Sequence, residues 1–365
     1  MDSTREHTSG GDPTGTLDEA LERLHTSGPE REGWLSNHAP MAVEALVRHG
    51  QAPSVHHWID SYRDKLEDLP ARSTQITADN WAEALGDPRR LGDWIGYFAR
   101  QVEEHPWRDV LALWWPRLLP GISAGATHPV IRTGHAVRVL LVDGPPSAPR
   151  LAELAHALGY WAARHSTLPE TDLLPPESTA SAGLGAVPLI ADQSGGIRER
   201  LARITALPRR PHPAGRPAPD AAGAGGGTDP DSARADLREI VRAATHRYAT
   251  HAHGSPVMLV HAATAPNAVL RTLPALPPRL WGLSADAAWA ASAAVTAVYA
   301  PAQAAPVPES TPPGPQEVFA RAAAHGDEHA IKFADTALEV AAGAEGGDPL
   351  SMAAALRATE LIPQG

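Results

Sequence analysis

Between Leu17 and Leu361, apolar residues return every three or four positions in one segment after another, a spacing that favours α-helix over strand. It predicts helices over Leu17–Leu24, Pro40–His49, Val55–Leu66, Asn80–Leu85, Leu91–Glu104, Val110–Leu119, Pro129–Val142 and Arg150–His165. Further helices are predicted over Ile197–Leu207, Ala233–Thr250, Ala285–Tyr299, Gln316–His325, His329–Ala342 and Leu350–Leu361. Only Val257–Ala262 reads as a strand, and it fits a buried helical turn equally well. Pro129–Val142 is apolar on most faces and is expected inside the protein. Two stretches break the pattern: Pro208–Pro230, which contains Gly223-Ala224-Gly225-Gly226-Gly227, and Ala300–Pro315. Both read as flexible loops. Residues 1–16 are polar and Gly/Thr-rich and read as a disordered tail. Candidate ligands fall on both sides of both loops. The expectation is therefore all-α, a single large helical domain over 17–365 with long Pro/Gly-rich loops.

Hydrophobic residues make up 43% of the chain, enough for a substantial core. A net charge of -11, without a clustered basic stripe, argues against nucleic acid as a partner. No apolar run reaches the length of a membrane span, and the N-terminus lacks the apolar stretch of a signal peptide, so a cytoplasmic location is expected. With no cysteine, disulfides, iron–sulfur clusters, thiolate-ligated haem and cysteine nucleophiles are excluded. Ten tryptophans against three phenylalanines is an unusual ratio. Trp114, Trp115 and Trp161 are candidates to stack on a flat substrate, with core packing as their ordinary role.

Lysine has almost vanished. Only Lys65 and Lys332 remain, and Lys332 follows His329 by three residues. A composition rich in Arg, Ala, Gly and Pro explains the scarcity but not which lysines stay. Lysine can lose its proton when buried, whereas arginine cannot. Helical phase puts Lys332 on one face with Glu328, His329, Asp335, Thr336 and Glu339, opposite Ala330, Phe333, Ala334, Ala337 and Ala341. Glu328 to Lys332 is the favourable i,i+4 orientation, and the pattern alone describes an ordinary solvated face. A chemical role requires that face to turn inward.

Among the 18 histidines, His38 and His128 each fall just before a helix that begins at proline. His135 follows His128 by seven residues, on the same side but about 10 Å along the axis. The two could share a metal, at roughly 2.1 Å from each nitrogen, only by leaning together. His261 follows four apolar residues, so burial and a need for a partner are expected. Each histidine also has a plain reading as a cap, a turn residue or a satisfied core histidine. His56 and His57 are weaker pocket candidates, and His251 and His253 are expected to face solvent. No Gly-x-Gly-x-x-Gly lies between a strand and a helix, and there is no Walker loop, Gly-x-Ser-x-Gly elbow or His-Glu-x-x-His.

Four segments together resemble the questin oxidase-like family: Leu35-Ser36-Asn37-His38-Ala39-Pro40-Met41-Ala42, Ala126-Thr127-His128-Pro129-Val130-Ile131-Arg132-Thr133-Gly134-His135-Ala136-Val137-Arg138, Ala157-Leu158-Gly159-Tyr160-Trp161-Ala162-Ala163-Arg164, and His329-Ala330-Ile331-Lys332-Phe333. The likeness runs from about residue 17 to 360 apart from the proline-rich loops, and Pro208–Pro230 has no clear counterpart. It implies a helical oxygenase of secondary metabolism, acting on a small aromatic substrate such as an anthraquinone-like polyketide. The implied reaction is oxidative C–C cleavage or a Baeyer–Villiger-type ring opening. The resemblance further implies a mononuclear non-haem Fe(II) with dioxygen as co-substrate. Its ligands would be His38, His128, His135 and His261, with Lys332 as a carboxylated lysine and His329 in reserve beside it as a catalytic residue.

Two other readings remain at this stage. One is an NADPH-dependent monooxygenase without bound iron, served by a reductase partner. The other is a non-catalytic helical ligand-binding protein. A metal-dependent hydrolase is weaker still, and oxygen dependence would rule it out.

Overall fold

A computed structural model of the chain describes residues 13–142, 144–211, 229–308 and 311–365. Thirteen helices of eight residues or more run through them. They are α1 (Pro13–Leu24), α2 (Ala39–Arg48), α3 (Val55–Tyr62), α4 (Leu91–Glu104), α5 (Trp107–Leu118), α6 (His128–Leu140) and α7 (Ala148–Arg164). The others are α8 (Pro230–His251), α9 (His261–Thr272), α10 (Trp281–Tyr299), α11 (Pro315–His325), α12 (Glu328–Ala342) and α13 (Pro349–Leu361). The fold is all-α, with two small strand pairs as its only sheet among the described residues. Glu30–Arg31 pairs antiparallel with Leu35–Ser36, and Asp172–Leu174 pairs parallel with Ala206–Pro208.

Several boundaries differ from the periodic reading. The helix expected over Ile197–Leu207 stops at Leu201, and its end becomes the strand Ala206–Pro208. The ambiguous run Val257–Ala262 is helical: a turn over Pro256–Leu259 leads into α9. Proline supplies the first-turn geometry there, since its missing N–H has no partner in a first turn anyway. Helix α1 begins at Pro13, inside the expected tail, and the rest of that tail, 1–12, lies outside the described residues. So do 212–228 of the first expected loop and 309–310 of the second.

Helices α4 to α7 enclose the largest apolar cluster, joined by α9 and the start of α10. A second cluster gathers α8, α9, α10 and α13, and a third gathers α1, α2, α3, α11 and α12. Helix α9 packs on α6, and α12 packs on α2 and α13. The α6–α9 crossing is close because Gly134 offers no side chain. A Cβ built there would stand 2.5 Å from the Cβ of Ala268. Those two helices carry His128 and His261 at their first residues. Among the described residues, no helix is long and apolar enough to cross a membrane.

Candidate metal centre

Helix α12 has polar residues where an amphipathic helix would meet water, yet every residue from Glu328 to Leu338 is buried. The polar face of Lys332 therefore turns inward. It meets the N-terminal ends of α6 and α9 and the residue that precedes α2. His38, His128, His261 and His329 converge there, all 8% exposed or less, with Lys332 at 1%. Ring centroids of His38–His128, His38–His329 and His128–His261 are each 4.5 Å apart. Ligand atoms of His38, His128 and His329 all lie within 4.8 Å of one another, close enough to share one ion.

The backbone fixes which nitrogens face inward. His128 is preceded by three left-handed residues, Gly125 (φ 54), Ala126 (φ 55) and Thr127 (φ 66). Left-handed backbone is rare for alanine and rarer for β-branched threonine. Each such non-glycine residue costs on the order of 1–3 kcal/mol and persists only where the surroundings enforce it. The turn lets His128 Nδ1 donate to the Gly125 carbonyl at 2.6 Å. His261 Nδ1 donates likewise to the Met258 carbonyl at 2.9 Å. Each bond assigns the ring proton to Nδ1 and leaves Nε2 with a bare lone pair. The two Nε2 atoms then face each other at 2.9 Å. Two lone pairs at that distance repel unless a cation lies against them or one ring takes a second proton.

That second proton is disfavoured. Burial, then the mutual charges of Lys332, His329 and the neighbouring rings, hold His38, His128 and His261 well below the ordinary histidine value. They are neutral imidazoles at neutral pH, the form that binds metals. His38 Nε2 has no hydrogen-bond partner, and its Nδ1 lies 3.2 Å from Glu328 Oε1 without hydrogen-bond geometry. Lys332 Nζ is also buried without a hydrogen-bond partner, and burial brings its pKa down to about 8, partly opposed by Glu328 and Asp327. Asp327 caps α12, accepting from the backbone N–H of His329 at 2.8 Å and of Ala330 at 3.2 Å, which sets the helix register.

His135 is not in this cluster, against the sequence expectation. A rise of 1.5 Å per residue carries it about 10 Å along α6 from His128. Its Nδ1 is 2.7 Å from Glu44 Oε2, and its Nε2 faces Arg271 Nη1 at 3.2 Å. Glu44, His135 and Asp335 are spaced like metal ligands, but the guanidinium of Arg138 bonds both carboxylates and Arg271 bonds Asp335. Two fixed cations against those oxygens leave a metal ion little attraction. His329, held in reserve by the sequence reading, takes the fourth place.

The tryptophans expected at a substrate lie instead in the main core, all 0% exposed. Trp115 donates to Ser284 Oγ at 2.9 Å and Trp161 to the Gly121 carbonyl at 3.1 Å. Trp114 packs edge-on against Trp81, Trp94, Tyr97 and Phe98. Of the weaker candidates, His56 sits half-exposed between Arg23 and Glu19. Three participants escaped the sequence reading. Glu328 approaches His38 and is held on its other oxygen by Lys65 Nζ at 3.2 Å. The Tyr62 hydroxyl accepts the His38 backbone N–H at 3.1 Å. The scarcity of lysine was the one sequence signal that pointed to Lys65.

Residues 35–206 match the family model described as Questin oxidase-like. No curated protein matches the chain significantly.

Proposed function

We propose, from the match of residues 35–206 to the questin oxidase-like family model, that the protein is an iron- and dioxygen-dependent oxygenase of secondary metabolism. Its substrate would be an anthraquinone-like aromatic polyketide, opened by oxidative C–C cleavage or a Baeyer–Villiger-type insertion beside a ring carbonyl. The observation that carries the metal in this reading is the pair of Nε2 atoms of His128 and His261, facing each other with both ring protons held elsewhere. Metal-bound histidines commonly donate their other N–H to a carbonyl in this way.

The donor set suits iron. Imidazole nitrogens from His38, His128, His261 and His329 would hold it, with an oxygen donor as the harder ligand. Iron(II) supplies the one-electron chemistry with dioxygen that side chains lack. Lys332 would provide the oxygen donor as a carbamate. In that step the neutral Nζ lone pair forms an N–C bond to carbon dioxide, one proton leaves to water, and the amine becomes a monoanionic carboxylate. Burial favours this change by raising the neutral fraction of the amine. Glu328, tied to Lys65, balances charge behind His38. Tyr62 fixes the backbone from which the His38 ring projects.

The test is the iron content of protein purified without added metal, alongside Lys332→Ala, with oxygen uptake on an anthraquinone. Wild type should hold stoichiometric iron and Lys332→Ala should lose it. Incubation with ¹³C-bicarbonate should give a carbamate carbon signal in wild type alone. Catalytically active protein free of iron would overturn the proposal, and unchanged iron in Lys332→Ala would remove the lysine from it.

A further inference from the structure

Ten residues beyond the histidine cluster, α6 and α9 carry Arg138 and Arg271, placed roughly 15 Å away by the helical rise. They open onto a cleft of about 780 Å³, the size range of a small-molecule site. Six arginines line it, Arg48, Arg138, Arg234, Arg238, Arg242 and Arg271, against two carboxylates, Glu239 and Glu339. In a chain of net charge -11, that is a local reversal of sign.

Four of the six need no ligand. Arg48, Arg138 and Arg271 stand in the last turns of their helices, where a cation meets the negative end of the helix dipole. All three also pair with Asp335 or Glu339. Arg242 pairs with Glu239 at 2.9 Å. Arg234 and Arg238 are different. They sit one turn apart on α8, with Arg242 one turn further, so like charges stack along one face. Neither makes a hydrogen bond or ion pair among the described residues. Val241, Leu270, Pro274 and Val340 add apolar lining to the cleft.

We infer that this cleft is a second binding site, separate from the metal centre, for a small organic anion carrying a carboxylate or phosphate ester on an apolar body. Arg234 and Arg238 take the oxyanion, for which guanidinium geometry is suited. The apolar wall takes the rest. The inference stands independently of the iron assignment.

Isothermal titration at low ionic strength tests it, with phthalate, phenyl phosphate and inorganic phosphate as probes. At least one aromatic anion should bind saturably, one per chain, and inorganic phosphate at least about tenfold more weakly, for want of apolar contact. The better aromatic probe identifies the head group. Arg234→Ala/Arg238→Ala should weaken it by roughly tenfold or more. Arg234→Lys/Arg238→Lys, which keeps the charge, should retain part of the affinity, and Lys332→Ala should retain it all. Circular dichroism checks that each variant is folded. Absence of saturable binding by both aromatic anions overturns the inference, as does unchanged affinity in the double alanine variant. Phosphate binding as tightly as the aromatic probes overturns the apolar half of it. Loss of binding in Lys332→Ala overturns the separation from the metal centre.

Discussion

Glu153→Gln tests the packing that holds the histidine cluster together. Arg132 lies one turn after His128 on α6, and its guanidinium grips Glu153 of α7 through bonds of 2.6 and 2.7 Å. Both side chains are nearly sealed from water, at 2% and 5% exposure. Burial pushes the Glu153 pKa up, but the charge and hydrogen bonds of Arg132, helped by His25, outweigh it and hold the group at about 2. Set against its ordinary 4.5, that difference corresponds to about 3 kcal/mol of stability at neutral pH. Because the folded pKa is depressed, this stability is complete above about pH 4.5 and drains away as pH falls toward 2. The amide keeps the shape but leaves the Arg132 charge buried without its counter-charge, a change that costs about 3–5 kcal/mol in comparable buried pairs. Urea unfolding at pH 7 should therefore place Glu153→Gln about 3 kcal/mol below wild type, a large share of a typical folding free energy. The gap should narrow as pH is lowered from 5 toward 3. His156 beside the pair, held at about 3 mainly by burial, adds an acid sensitivity that the variant retains. A variant within about 1 kcal/mol of wild type at pH 7 would refute the reasoning. So would a gap that stays constant down to pH 3.

Three further substitutions separate packing from ligation. Gly134→Ala forces a methyl against Ala268 and should cost about 1–3 kcal/mol or more, read as a lower urea midpoint, with iron retention falling because α6 and α9 are pushed apart. His135→Ala should destabilise by about 1–3 kcal/mol, since Glu44 and Arg271 each lose a buried partner, while iron content stays at the wild-type level. His128→Ala should show the opposite balance, with iron lost. Iron loss in His135→Ala equal to that in His128→Ala would contradict the placement of His135.

The helical architecture was legible because most helices hide one apolar stripe, and three-to-four spacing records that directly. What failed was local. Leu207 carries the same apolar signal in a strand as in a helix, so Ile197–Leu207 read as continuous although its end pairs with Asp172–Leu174. Helix α12 failed for a deeper reason. Periodicity reveals that a helix has two unlike faces, and the outward assignment of the polar one rests on the cost of burying charge. Here that cost is met by pairing. Arg138 and Arg271 neutralise Asp335 and Glu339, while Lys65 and His38 approach Glu328. These partners lie on α6, on α9, just before α2 and in the segment after α3, so no window on α12 contains them.

The exchange of His135 for His329 follows from the same limit. Sequence spacing puts a histidine on a helix and gives its phase, and His135 satisfied both. Availability to a metal depends instead on which nitrogen keeps a free lone pair, and that is decided by whatever stands at the other nitrogen. For His128 and His261 the answer is local, a carbonyl three residues upstream in each case. His128 opens its helix with a proline beside it, and the turn that bends back to Nδ1 runs through the left-handed residues Gly125–Thr127. For His135 the answer comes from Glu44 and Arg271, distant in the chain, which occupy both nitrogens. At His128 and His261 the short carbonyl contact from the preceding turn is what leaves Nε2 free, and position on a helix face does not record it.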